Sequence, residues 1–180
     1  ETRLVLRRRS PDGEEGFPGN LDVEVVYSLP EAGMLRIDYR AVTDRPTVLN
    51  LTNHSYFNLA GEGTGDVMDH VVAVFADAYA PTDATQIPTG VLAPVAETPV
   101  DLREPTILGA RIREDHEQIV SAGGYDHAFA LRGPAGTLRP AASCHCPASG
   151  RRLEVATTQP ALQLYSGPHP DRALVGPTGR

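Results

Sequence analysis

From Leu21 the chain alternates for eight residues, with Leu21, Val23, Val25 and Tyr27 on one face and Asp22, Glu24, Val26 and Ser28 on the other. A period of two is the pattern of a half-buried strand. After a turn over residues 30–33, Leu35, Ile37, Tyr39 and Ala41 alternate with Arg36, Asp38, Arg40 and Val42, which predicts an antiparallel hairpin. Residues 47–52 are rich in β-branched and aliphatic side chains and predict a third strand, ending near His54 and completing a meander. The opening residues 1–9 are also strand-like, and the apolar run 71–75 (VVAVF) suits a strand covered on both faces. Prolines at 81, 88, 94, 99 and 105 exclude a long helix over 77–106 and leave bridges and turns there. One or two helical turns fit within 107–121. Strands are predicted again over 126–132, 141–146, 152–158 and 161–166. Sixteen prolines and seventeen glycines between strand-length patterns give an all-β class.

At 180 residues the chain has the length of one domain with a sizeable core. No apolar run approaches the roughly 18 residues of a membrane span, so no membrane partner is expected. A net charge of -7 argues against nucleic acid, which needs clustered positive charge. Arg7, Arg8 and Arg9 form the only basic run and read as a solvated strand end. All sixteen basic residues are arginine, which carries no chemical implication of its own. The acidic stretch 12–16 lacks the ligand spacing of a calcium loop. Cys144 and Cys146 flank His145, but no second ligand pair stands at zinc spacing, so no metal is expected. Two thiols without a secretory leader predict a reducing, cytoplasmic location, and the sequons at Asn50 and Asn53 then read as chance.

The densest chemistry lies in residues 50–61 (NLTNHSYFNLAG), where a histidine, a serine, a tyrosine and asparagines sit among apolar residues. Histidine both gives and takes a proton near neutrality, which makes His54 the best acid–base candidate. TNHSYFNL resembles a signature of the aldose 1-epimerase (galactose mutarotase) family. Further matching stretches follow in the family's order. They are 10–21 (SPDGEEGFPGNL, which precedes the signature), 68–81 (MDHVVAVFADAYAP), 87–90 (IPTG), 98–102 (TPVDL), 123–129 (GGYDHAF) and 149–167 (SGRRLEVATTQPALQLYSG).

The resemblance implies part of a large antiparallel β-sandwich, the mutarotase-like supersandwich, with a sugar held in a cleft on one sheet. It implies an isomerase that interconverts α and β anomers of an aldohexose by acid–base ring opening and closure, with a monosaccharide as substrate and no cofactor. It implies His54 as the acid and Ser55, Tyr56, Asp126 and Gln159 as sugar-binding residues, with Asp126 and Gln159 converging on one cleft with His54. His70, His116, His127, His145 and His169 receive no role from it. Val91 after IPTG and Leu102 after TPVD depart from the family's usual acidic and aromatic residues and bear on loop packing. The family's earlier Asn-Arg pair and further histidine would precede Glu1, and its glutamate base would follow Arg180, so residues 1–180 are expected to be one partial domain and a poor catalyst alone. The alternative is a non-catalytic sugar-binding or sugar-sensing protein, which would keep the binding residues without an acid–base pair.

Overall fold

In the computed structural model, which describes residues 2–31 and 33–167, regular structure is nearly all antiparallel strand. The strands are β1 (Thr2–Ser10), β2 (Leu21–Leu29), β3 (Arg36–Thr43), β4 (Val71–Val74), β5 (Ala76–Ala80), β6 (Ala93–Pro94), β7 (Thr106–Ile107), β8 (Asp126–Leu131), β9 (Arg139–His145), β10 (Arg152–Thr157) and β11 (Ala161–Tyr165). Two short helices, α1 (Leu108–Arg111) and α2 (Glu117–Ala122), stand between β7 and β8. The chain divides into two compact units, Glu1–Tyr56 and Phe57–Arg180. The expectations placed on His169 and on the proline- and glycine-rich end lie outside the described residues.

The first unit is a β1-β2-β3 meander. Its registers, Val5 opposite Val26 and Val25 opposite Tyr39, put the charged rows on one face and Leu4, Leu6, Val25, Tyr27, Ile37 and Tyr39 on the other. Arg7 pairs with Glu24 at 2.7 Å and Arg9 with Asp22 at 2.6 Å, the solvated strand end read from the sequence. Exposed pairs of this kind contribute little to stability. The loop before β2 is tied down by Asp12, whose Oδ1 accepts the Gly19 N–H at 2.6 Å. Gly19 has φ 83°, and a Cβ there would stand 2.9 Å from the Cβ of Arg45, so this turn requires glycine.

One sequence expectation fails in this unit. The third strand of the meander is β1, not residues 47–52, and residues 47–58 carry no strand or helix. β-propensity is a preference for a pleated surface with a ladder partner, and among the described residues nothing pairs with this stretch. Val48 and Leu49 stay exposed, at 76% and 45%.

The second unit holds two four-stranded sheets, ordered β10-β9-β4-β7 and β11-β8-β5-β6, which share one hydrophobic core. Val72 and Val74 from β4, Tyr79 from β5, Phe129 and Leu131 from β8 and Ala141 from β9 all belong to it. The apolar run expected over 71–75 is buried as predicted, and it passes from one sheet to the other at Phe75. There the N–H donates to Ala141 O and the carbonyl accepts from Arg132 N, each at 2.9 Å, and the register shifts between Ala76 and Ala78. Bulged strands turn sheet corners in this way. Residues 77–106 hold no helix, only the end of β5, the short β6, the first residue of β7 and a Thr82–Pro88 bridge, as the prolines require. No helix among the described residues is long and apolar enough to cross a membrane.

Candidate active site

Helix α2 delivers the chain to Asp126. His116 caps its start, with Nδ1 accepting the Gln118 N–H, and the helix ends where the N–H of Gly124 returns to Ile119 O at 3.0 Å while Gly123 takes φ 68°. A Cβ on Gly124 would stand 2.9 Å from the Ser166 hydroxyl. Gln118 pins the helix by mimicking a strand: its Oε1 accepts the Thr82 N–H at 2.9 Å and its Nε2 donates to Thr82 O at 2.8 Å.

Asp126 is the first residue of β8, half-buried, opposite Tyr165 of β11. Alternation puts His127, Phe129 and Leu131 into the core and turns Asp126, Ala128 and Ala130 outward. Gln163 and Ala161 share that outward face on β11, and Ala78 and Ala80 share it on β5. The result is a floor of alanines with a carboxylate, an amide and a phenol at one end. Gln163 Nε2 donates to Asp126 Oδ1 at 2.6 Å, the diagonal cross-strand contact that this register allows. One amide N–H is thereby used, which leaves the other N–H, the amide oxygen and Asp126 Oδ2 for the hydroxyls of a ligand.

Gln159 is not part of this group. It lies in the turn before β11, where its carbonyl accepts from Arg139 Nη2 at 2.8 Å and its N–H donates to Thr157 Oγ1 at 3.1 Å. Because β11 runs antiparallel to β8, Pro160 bonds to Leu131 at the far end of the ladder. Gln159 is therefore about 20 Å along the hairpin from Asp126, at roughly 3.3 Å per residue. The expected convergence of Asp126 and Gln159 fails, and Gln163, which the sequence reading passed over, stands in its place.

His54, Ser55 and Tyr56 close the first unit in irregular backbone, all exposed. An Asx turn shapes the stretch, with Asn53 Oδ1 accepting the Ser55 N–H at 3.1 Å. The His54 and Tyr56 rings lie 5.3 Å apart between centroids, tilted by 52°, so the imidazole is presented against an aromatic neighbour and not within a sheet. No group of three or more His, Cys, Asp or Glu side chains gathers at metal-binding distances among the described residues.

The aldose 1-epimerase family model matches residues 1–179. The chain belongs to the aldose 1-epimerase family. It is 50% identical over 176 residues to the galactose mutarotase of Rattus norvegicus, covering 98% of this chain and 49% of that protein. It is 42% identical over 167 residues to the aldose 1-epimerase of Escherichia coli (strain K12), covering 93% and 48%. The crystal structure of galactose 1-epimerase from Lactobacillus acidophilus NCFM superposes with a TM-score of 0.81 at 35% identity, over 93% of this chain and 47% of that one. The chain thus spans about half the length of the relatives it matches. These likenesses agree with the all-β sandwich read from the sequence.

Beneath Asp126, the imidazole of His127 is 1% exposed and packs edge-on to Tyr79 at 5.9 Å. Its Nδ1 accepts the Asp126 N–H at 3.1 Å, which places the ring proton on Nε2. Burial holds its pKa below the ordinary 6.5; the Asp126 charge and the Gln118 backbone pull upward and are outweighed. A histidine kept neutral by the fold contributes stability that is fully present above its unfolded pKa and is lost as pH falls through and below about 6.5. Urea midpoints should therefore drop between pH 7.5 and pH 5.5, and the drop should shrink in His127→Gln. Equal midpoints at the two pH values in the wild-type protein would contradict this account.

Proposed function

We propose that the whole protein is an aldose 1-epimerase that interconverts the α and β anomers of an aldohexose such as galactose or glucose. The observation that carries this reading is the Asp126–Gln163 pair at the end of an outward-facing, half-buried alanine floor, in a chain of this family. A carboxylate accepts hydrogen bonds from neighbouring sugar hydroxyls, an amide both donates and accepts, and small alanines let a pyranose ring approach the sheet. Opening the hemiacetal needs a proton delivered to the ring oxygen while the anomeric hydroxyl loses one; rotation about C1 and closure reverse both transfers. We assign the acid to His54, hydroxyl binding to Asp126 and Gln163, and support of the sugar beside His54 to Ser55 and Tyr56. Asp126, with Oδ1 held by Gln163 and Oδ2 left for a sugar hydroxyl, is assigned to binding and not to the base. The reaction consumes no redox equivalents and so calls for no cofactor. The free thiols of Cys144 and Cys146 support a cytoplasmic location.

Polarimetry on the full-length protein tests the assignment. Freshly dissolved α-galactose or α-glucose should reach its equilibrium rotation faster in proportion to enzyme added. Sugar binding without any acceleration, for any common aldose, would give the site to a sensor or a binding module instead.

A further inference from the structure

The backbone of Leu59 is held from both sides by side chains. Its carbonyl accepts from Ser149 Oγ at 2.7 Å and from Arg151 Nη1 at 3.0 Å, and Arg151 Nη1 also reaches Ala60 O at 3.3 Å. Its N–H donates to Nε2 of His70 at 3.0 Å. His70 is 2% exposed and is itself fixed, with its N–H on Val67 O and its carbonyl accepting from Leu108 N, each at 3.0 Å. Ser149 and Arg151 sit in the β9–β10 turn, which is braced on its own account: Cys146 N donates to Arg151 O, Gly150 N to Cys146 O, and Arg151 N to Ser149 Oγ. Asn58 completes the anchor, accepting from Ala60 N at 3.0 Å and donating to Gly65 O at 3.2 Å.

The donors and acceptors gathered here belong to elements that their own ladders and turns already hold. What they fix in addition is one point in an irregular segment, and that point comes five residues after His54 in a stretch with no ladder of its own. Irregular backbone that must present a side chain accurately needs such fixing, because displacement of a reacting group by about 1 Å can cost 10²-fold in rate. Bonds from a guanidinium are charge-assisted and stronger than neutral ones.

We propose that His70, Ser149 and Arg151 are positioning residues, which anchor the His54 segment at Leu59 and so set the approach of the imidazole to the sugar's ring oxygen. This rests on the reading of His54 as the acid. In the full-length protein, Ser149→Ala combined with Arg151→Met removes the donors from an exposed turn and spares the core. The double variant is expected to lose about 10- to 100-fold in kcat with KM little changed and the pH–rate profile displaced. Arg151→Lys, which keeps one donor, should recover part of the rate, and His70→Gln, which keeps an acceptor for the Leu59 N–H, should retain more of it than His70→Leu. Wild-type kcat and an unmoved pH profile in the double variant would overturn the proposal, as would a loss explained entirely by less folded protein. His54→Gln is measured beside it. If that variant is inactive and the double variant is not, only the anchoring role falls; if His54→Gln keeps its full rate, the acid assignment falls and the anchoring role with it.

Discussion

Replacing His54 by alanine in the full-length protein is expected to slow mutarotation by about 10²- to 10⁴-fold, the range that general acid–base assistance supplies, while sugar affinity changes little. The two effects separate because they arise from different groups. In the proposed site the hydroxyls are held by Asp126 and Gln163, whose geometry is set by the β8–β11 register and does not involve the imidazole. The proton on the ring oxygen is an event of the transition state, so its loss appears in kcat and kcat/KM together. The exposure of His54 and its tilted contact with Tyr56 mean that truncation opens no core cavity, and thermal stability should stay near wild type. Polarimetric progress curves at saturating sugar measure kcat, and a titration of sugar binding measures affinity. A His54→Ala enzyme with wild-type turnover would hand the acid role to another residue.

Legibility in the sequence followed the locality of the physics. β2 and β3 are adjacent in the chain, alternate cleanly and pair with each other, so the period of two was enough. The helices over 107–121 were limited to short turns by uneven apolar spacing, and α1 and α2 are short for that reason. Residues 47–52 have as much β-propensity as β3, yet a ladder partner is not written in a strand's own residues, and the stretch stays irregular. The place of β1 at the edge of the meander was hidden in the same way, since β1 lies before a ten-residue connection rather than a tight turn. The site shows the same division. The place of Asp126 at the start of a strand, after Gly123 and Gly124, was readable from residue types and order. Its partner was not, because TTQPALQLY offers two glutamines four residues apart, which alternation puts on the same face. Two signals separated them in principle: the proline after Gln159 marks the turn, and antiparallel pairing of 161–166 with 126–132 brings the end of the later strand, not its start, beside Asp126.

The two glutamines make the sharpest test of that register. Asp126→Ala removes a charged acceptor, and hydrogen bonds to charged groups contribute about 1.5–3 kcal/mol each, so KM for the aldose should rise by roughly 10- to 100-fold. Gln163→Ala removes the donor that orients Asp126 and an amide facing the same ligand, and should raise KM in the same direction by a smaller factor. Gln159→Ala should be close to wild type, because its backbone, not its side chain, makes the contacts with Arg139 and Thr157, and it stands at the other end of the hairpin. The substitutions do not empty a packed core: Asp126 is half-buried, and Gln159 and Gln163 are exposed. Because Gln163 donates to Asp126, the double variant Asp126→Ala/Gln163→Ala should lose less than the sum of the two single effects, the non-additivity expected of residues in one hydrogen-bonded unit. Initial-rate KM values for the three single variants and the double variant measure this. A strong KM effect at Gln159 with none at Gln163 would mean that the sugar lies at the turn end of the sheet and that Asp126 serves the fold alone.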